Sequence, residues 1–407
     1  MENISVAICD DSALMRNLIG RIVEGTEGLE ICFKAQNGQD LLDKLSTAKP
    51  DVILLDIEMP VMTGVQFLQE RRSRGINIPV IVISSIATEG AAVTMQCLSL
   101  GASDFVTKPG GSSVSLKIGD VSNEIIENIS SYGGRYARRH GKQVYDPEFF
   151  EHQIKLKDAE RFVQEKKGKD VKSGSSSLNK TSSLEKKSSS SSFVWTPSKP
   201  KEKVEITPIR EGGKIEVIAI GISTGGPNAL RDVFKAIDKD LKQPVLVVQH
   251  MPAGFTKEFA ASLNIICPLT VTEAVDGEPI LGGHVYIAPG NKHILVERRS
   301  IGNVIRLSDS EQRNGHRPSA DVLFESVAKV YQNHALGVIM TGMGRDGACE
   351  LAEMRRQGAW TLGQDRDSAI VYGMPRVAWE MGGVQKQVSL HDMASEISTI
   401  AREHLEN

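Results

Sequence analysis

The stretch "IGISTGGP", Ile220 to Pro227, follows the apolar run "IEVIA" and sets Ser223 inside Gly-x-Ser-x-Gly. That spacing has two chemical meanings. It can be a nucleophile elbow, in which flanking glycines allow a serine to sit exposed on a sharp strand-to-helix turn. It can equally be a glycine-rich cradle that offers backbone N–H groups to a phosphate at a helix N-terminus, with Pro227 suited to the first helical turn. A serine nucleophile needs a base, and the base an orienting carboxylate. The run "VLVVQHMP" puts His250 straight after an apolar strand, and "LGVIMTGMGRDGA" puts Asp346 in a glycine-rich turn between a strand and a helix. Alone, His250 reads as a structural histidine and Asp346 as a cap for the helix starting near Gly347. A dinucleotide fingerprint would place a glycine where Ser223 stands and an acidic residue at the end of the next strand. That strand ends in Gln249-His250, which tips the balance towards hydrolysis. The order Ser, His, Asp differs from the Ser, acid, His order of the α/β-hydrolase fold. The late histidines His391 and His404 sit in what reads as a polar, solvated tail.

A second group of reactive side chains lies near the start. Asp10 and Asp11 follow the first strand run, Asp56 the third, Ser84 and Ser85 the fourth, and Lys108 the fifth. Ligands of open α/β sheets bind beyond the carboxyl ends of the strands, so these groups converge on one edge. Three crowded carboxylates repel unless a cation neutralises them, and an all-oxygen set of this kind suits Mg²⁺.

These groups need elements to hold them. From Ile4 to about Ile129, β-branched runs alternate with amphipathic stretches, which predicts a doubly wound parallel sheet with helices on both faces. Order resumes near Ile215 with a second α/β pattern, whose central strands pass through turns such as "DGEPILGG" and "PGNK", predicting a mainly parallel sheet with an antiparallel excursion. Between them the pattern fades from about Tyr132, and "VKSGSSSLNKTSSLEKKSSSSS" is too polar to offset its ordering entropy. The expected division is residues 1–130, a linker 131–213 that is largely disordered, and residues 214–407. Within the linker "FVWTP", Phe193 to Pro197, is an apolar island, most plainly a stray exposed cluster.

The 407 residues suit two domains plus a linker. A net charge of −3 and the absence of a basic helix-turn-helix stretch argue against nucleic acid as a partner. Five scattered cysteines without a Cys-x-x-Cys pair suit a reducing compartment, and no apolar run reads as a signal peptide or a bilayer span. The expectation is a cytoplasmic chain with no membrane insertion.

"CDDS", "LLDIEMP", "VISS" and "FVTKP" together resemble the receiver domain of two-component response regulators. The resemblance implies a flavodoxin-like receiver in which Asp56 accepts a phosphoryl group from a phosphohistidine on a chemotaxis histidine kinase. Asp10, Asp11, Asp56 and the main-chain carbonyl of Glu58 would then hold Mg²⁺. Lys108 would pair with the phosphoryl group and Ser84 would shift towards it. Phe105 stands where receivers often carry a tyrosine, and would be the switching aromatic without a hydroxyl.

"GISTGGP", "QHMP", "YIAPGNKH", "RPSADVLFESVA" and "VIMTGMGRDGA" resemble the catalytic domain of chemotaxis-specific protein-glutamate methylesterases, the CheB family, in which a receiver also precedes the enzyme. Ile222 stands where that family more usually has alanine. The resemblance implies Ser223 as nucleophile, His250 as general base then acid, and Asp346 as the group that holds the imidazole. It also implies oxyanion donors from Met343 and neighbouring amides, with Thr224 lining the nucleophile turn. The implied substrates are methylated glutamates, and for some members glutamines, on methyl-accepting chemoreceptors, and ester hydrolysis needs no cofactor. The implied regulation is that the unphosphorylated receiver packs over the edge carrying Ser223 and His250, and phosphorylation opens it.

Overall fold

The computed structural model describes residues 1–85, 88–108, 118–170, 202–300 and 302–405. The N-terminal unit is a five-stranded parallel sheet in the order β2-β1-β3-β4-β5. Its strands are β1 Ile4–Cys9, β2 Leu29–Ala35, β3 Val52–Asp56, β4 Val80–Ser84 and β5 Asp104–Thr107. Helices α1 Ala13–Glu24, α2 Gly38–Leu45, α3 Gly64–Ser73, α4 Thr88–Ser99 and α5 Ile118–Asn128 cover its faces. The helix starts are written in the chain: Ser12 caps Met15 N–H, Asn37 caps Asp40 N–H, and Thr63 with Gln66 forms a reciprocal capping box. Gly64 lets α3 approach the end of β3, because a Cβ there would lie 2.4 Å from the Asp56 carbonyl oxygen. The strand order reverses between β1 and β3, and Asp10 and Asp56 stand at that crevice.

The chain does not loosen at residue 131. Helix α5 continues through a π-helical turn, Ile129–Gly133, into α6 Gly134–Arg139, and α7 Pro147–Asp170 follows. Phe149, Phe150 and Ile154 are buried in one core with Ile4, Val6 and Val52, and Lys142 pairs with Asp51 at 2.7 Å. The aromatic pair Phe149-Phe150 supplies the apolar area that the polar surroundings conceal in the sequence. At the other end of the expected linker, residues 204–215 run along the second unit. Val204 N–H bonds Glu380 C=O, Ile209 N–H bonds Arg356 C=O and Gly213 N–H bonds Asn333 C=O. The Ser/Lys-rich segment and "FVWTP" lie outside the described residues.

The second unit holds seven parallel strands in the order β14-β13-β12-β6-β7-β9-β8. In chain order its elements are β6 Val217–Ile222, α8 Gly226–Ala236, β7 Val245–Gln249, α9 Phe255–Asn264, β8 Thr270–Glu273 and β9 His284–Ile287. Then come β10 His293–Arg299 and β11 Gly302–Ser308, an antiparallel pair outside the main sheet, and α10 Ala320–Tyr331. β12 Ala335–Ile339, α11 Ala348–Gln357, β13 Trp360–Gln364, α12 Met374–Glu380, β14 Lys386–Val388 and α13 Leu390–Glu403 complete it. The final stretch is thus a helix rather than a solvated tail. Met393, Ala394, Ile397 and Ala401 bury one stripe of α13, and His404 stacks on Trp360 with ring centroids 4.2 Å apart, while His391 is exposed. Among the described residues no helix is long and apolar enough to cross a membrane.

The two units meet along β5. Phe105 stacks on Phe255 at 4.9 Å with the ring planes 17° apart, and α4 packs on α9. One continuous apolar core includes Phe105 with Phe255, Phe259 and Ile222. Polar ties flank it: Asn228 Nδ2 donates to the carbonyls of Ala102 and Ser103, and Arg135 donates to those of Asp367 and Ala369.

Candidate active site and receiver site

Strand β6 lies between β12 and β7, and connections leave it in opposite directions there, so the crevice opens at the ends of these three strands. Ser223 follows β6, His250 follows β7, and Asp346 stands in the turn after β12. Ser223 Oγ lies 3.1 Å from His250 Nδ1, and His250 Nε2 lies 2.8 Å from Asp346 Oδ2. The His250 side chain is 9% exposed and that of Asp346 is sealed. A carboxylate facing Nε2 fixes the proton there and leaves the Nδ1 lone pair for the serine hydroxyl. That is the arrangement a general base needs.

Asp346 caps a helix, though not the one its position in sequence suggests. Its carboxylate accepts from the N–H groups of Ala320 at 2.6 Å and Asp321 at 3.3 Å, at the start of α10, whereas α11 begins behind left-handed Gly347. Ser319 Oγ at 2.6 Å and Asn314 Nδ2 at 2.9 Å donate to its other oxygen. Burial opposes the charge, but the hydrogen bond from His250, its positive charge when protonated, and the Ser319 and Asn314 donors outweigh it. The carboxyl is held well below the usual carboxylate range, so it stays ionised beside the imidazole.

The nucleophile turn is fixed from several sides. Ser223 N–H donates to Thr341 C=O, and Ser223 C=O accepts from Gly226 N–H. Gln249 Nε2 donates to the carbonyls of both Ser223 and His250, at 3.1 and 3.0 Å, tying the loops after β6 and β7 together. Thr341 Oγ1 donates to Thr224 C=O. Gly342 passes so close that a Cβ there would lie 2.8 Å from Ser223 Cβ. The N–H groups of Thr224 and Met343 have no acceptor among the described residues. The phosphate-cradle reading loses two of its amides: Gly226 N–H is given to Ser223 C=O, and Gly225 N–H donates to Asp104 Oδ2 of the first unit at 2.9 Å.

Asp104 also accepts from Tyr132 Oη at 3.1 Å and from Phe105 N–H at 3.0 Å. Burial pushes its carboxyl up to about 6 against these three hydrogen bonds. Asp104, Gln249, Asn314, His316, Ser319 and Phe255 all bear on the site without having been picked out by strand-end reasoning. The one local signal among them is "RNGH", Arg313 to His316, an Asn-Gly pair of the kind that makes a two-residue hairpin turn.

In the first unit, the carboxylates of Asp10, Asp11 and Asp56 bring one oxygen each within 4.8 Å of one another. Lys108 Nζ lies 2.8 Å from Asp56 and 3.2 Å from Asp10. The facing oxygens, Oδ2 of each, are buried and receive no aligned hydrogen bond. Burial pushes the Asp56 carboxyl up to about 6; the nearby Lys108 ammonium opposes this and the Asp10 charge adds to it. Oxygen-only and short of positive charge, with Asp10 and Asp56 buried and Asp11 open to solvent, this set fits a hard divalent cation. A small cavity of about 30 Å³ opens beside Asp56, with Glu58 and Ser85 in its wall. Ser84 Oγ is turned away, accepting from Thr94 Oγ1 at 2.6 Å. Phe105 is buried against Phe255 rather than exposed.

Residues 6–117 match the response regulator receiver domain and residues 218–397 match CheB methylesterase. A "Protein-glutamate methylesterase/protein-glutamine glutaminase" of Treponema denticola is 52% identical over 404 residues, covering 99% of this chain and 100% of its own. One of the same description from Treponema pallidum is 50% identical, covering 97% of this chain and 96% of its own. The crystal structure of the Thermotoga maritima CheB methylesterase catalytic domain is 34% identical and covers 46% of this chain and 99% of its own, with a TM-score of 0.45. With its receiver, its α/β catalytic unit and full-length identity of this order, the chain belongs to the CheB methylesterase family.

Proposed function

We propose that this chain is a phosphorylation-activated serine hydrolase that demethylates glutamate γ-methyl esters, and deamidates glutamines, on methyl-accepting chemoreceptors. The observation that carries the reading is the hydrogen-bonded series Ser223, His250, Asp346 at the crevice beside β6. Ser223 Oγ attacks the ester carbonyl carbon while its proton passes to His250 Nδ1. The oxyanion of the tetrahedral intermediate is met by the Thr224 and Met343 amides. Collapse breaks the bond to the methoxy oxygen, which leaves as methanol with the proton from His250. Water then attacks the acyl-enzyme, again giving its proton to His250, and Ser223 departs with that proton. With a glutamine the same steps release ammonia. Asp346 stays ionised and holds the imidazole throughout.

In the receiver, Asp10, Asp11, Asp56 and the Glu58 carbonyl would hold Mg²⁺, whose charge supplies stabilisation of the transferring phosphoryl oxygens. Asp56 attacks the phosphorus of a phosphohistidine on a partner kinase, and the P–N bond breaks. Lys108 then faces the new dianion. Because β5 carries Asp104 and Phe105 against the loops that bear Ser223 and His250, the docked receiver restrains those loops, and phosphorylation weakens the docking.

The test is methanol release from a methylated receptor fragment. Ser223→Ala should lower it by about four orders of magnitude or more, with the fold retained. Near-normal turnover by a folded Ser223→Ala protein would overturn the assignment.

A further inference from the structure

Arg313 and His316 bond each other through both their backbone N–H and C=O groups, at 3.1 and 3.0 Å, closing a two-residue turn. Its central residues, Asn314 and Gly315, have φ of 55° and 83°. Two positive values define the type I′ geometry that Asn-Gly favours. Arg313 anchors the turn to the helical layer through Glu325 on α10 and Glu350 on α11.

From this turn two side chains reach the His250–Asp346 pair, one to each member. Asn314 Nδ2 donates to Asp346 Oδ1 at 2.9 Å and to Asp321 Oδ2 at 2.6 Å. The ring of His316 lies flat on that of His250, with centroids 3.9 Å apart and planes 12° from parallel. The imidazole of His250 is therefore held at its two nitrogens by Ser223 and Asp346 and on one face by His316.

We propose that the Arg313–His316 turn is a positioning device for hydrolysis, in which the face of His316 fixes the plane of the His250 ring and Asn314 fixes the carboxylate that orients it. The proposal rests on the reading of Ser223 and His250 as nucleophile and base. Its physical content is twofold. Proton transfer from Ser223 to His250 needs the Nδ1 lone pair aimed at Oγ, and a ring that rocks about its two in-plane contacts loses that aim. When it takes the serine proton, the His250 ring becomes a cation lying flat on an aromatic face. That second effect requires a neutral His316. Burial, and then the charge on His250, hold His316 well below the ordinary histidine value, against the opposing pull of Asp346. His316 has no part in the proton transfers: Nδ1 of His250 faces Ser223, its Nε2 faces Asp346, and His316 meets only the ring face.

The test uses the full chain and a peptide carrying a glutamate γ-methyl ester, with kcat and KM read from methanol release. His316→Ala should lower kcat by about 10- to 100-fold with KM changed less than about threefold. His316→Phe restores a flat, uncharged face without ring nitrogens and should recover kcat to within a few-fold of the parent. Asn314→Gly suits the left-handed position, so it keeps the turn and deletes only the amide. It should lower kcat several-fold at unchanged KM. If His316→Ala does not fold, His316→Leu, similar in bulk but lacking an aromatic face, takes its place and should behave as His316→Ala was expected to. His316→Phe as slow as the alanine or leucine variant would overturn the proposal by assigning the effect to the ring nitrogens. Full kcat in the alanine or leucine variant, or in Asn314→Gly, would overturn it directly. Ser223→Ala measured alongside separates the two layers: if it retains turnover, the nucleophile reading fails, whatever the turn variants do.

Discussion

Asp104→Ala should release the hydrolase from its receiver. The carboxylate is buried where β5 meets the nucleophile turn, and its Oδ2 takes the Gly225 N–H across the interface at 2.9 Å, two residues from Ser223. Its three donors, Gly225 N–H, Tyr132 O–H and Phe105 N–H, leave no oxygen position that an amide NH₂ could occupy without facing a donor. Asp104→Asn should therefore weaken docking as well. A charge-assisted hydrogen bond of this kind contributes about 1.5–3 kcal/mol. In the undocked state Gly225 N–H is free to bond water, so nearly all of that sum is lost from docking. At about 1.4 kcal/mol per decade, the ratio of docked to undocked chain falls about 10- to 100-fold. The assay compares unphosphorylated wild type, Asp104→Ala and a fragment starting at Glu202, which keeps the 204–215 segment bonded along the second unit. Asp104→Ala should move the basal rate towards that of the fragment. A folded variant with wild-type basal rate, while the fragment is faster, would refute the role of this contact. A fragment no faster than wild type would refute restraint by docking altogether.

The same carboxyl sets a pH dependence. Its value is raised to about 6 in the docked state, chiefly by burial. If undocking opens this carboxyl to water and lets it fall back, its raised value strengthens docking in acid and that contribution is lost as pH rises through the raised value. The rate of the wild-type chain relative to the fragment should therefore rise between about pH 5 and 7. In Asp104→Ala the ratio should be flat over that range.

His250→Gln should remove hydrolysis by at least about 10³-fold together with its fall in acid, and an unchanged pH profile in that variant would mean that another group is the base. Asp56→Asn should hold the full chain at its low basal rate when a small phosphodonor and Mg²⁺ are supplied. Stimulation surviving in Asp56→Asn would remove Asp56 from the switch.

Strand runs of β-branched residues locate both parallel sheets in the sequence, because buried parallel strands are apolar along their whole length, and β1, β3, β6 and β12 are sealed throughout. The principle that open sheets bind ligands beyond their strand ends then selects Ser223, His250 and Asp346, and the structure brings those three together. Elements that begin without a side-chain cap are harder to read. Helix α9 starts behind left-handed Gly254 and α12 behind Gly373, so neither carries a Ser, Thr, Asp or Asn signal. Helix α13 does carry one, Ser389, but its buried stripe is broken by enough polar residues that the segment reads as a tail. Asp104, Gln249 and His316 act on the site only through long-range geometry. Asp104 meets Gly225 across 121 positions of chain, a pairing no local pattern announces.

Both units place their reactive groups where strand order reverses, and β5 joins the two crevices. At its end Lys108 pairs with Asp56 and Asp10, while at its start Asp104 and Phe105 engage the loops after β6 and β7. A phosphoryl group on Asp56 adds negative charge beside Lys108, four residues along the chain from the Asp104 contact. On the proposed switch, a shift of Lys108 towards the phosphoryl group would pass along β5 to the Phe105–Phe255 stack. Phe105 lacks a hydroxyl, and its fit to Phe255 is purely apolar and shape-dependent, whereas Asp104 holds by a directional bond. Two contacts of different character on adjacent residues make separation cooperative, since losing the stack admits water to a carboxylate whose docking depends on burial. A double-mutant cycle on Phe105→Ala and Asp104→Ala, read as basal rate relative to the Glu202 fragment, measures this coupling. A ratio in the double variant equal to the product of the single effects, over a range where docking is still detectable, would mean that the two contacts act independently and that the switch does not run through β5 as a unit.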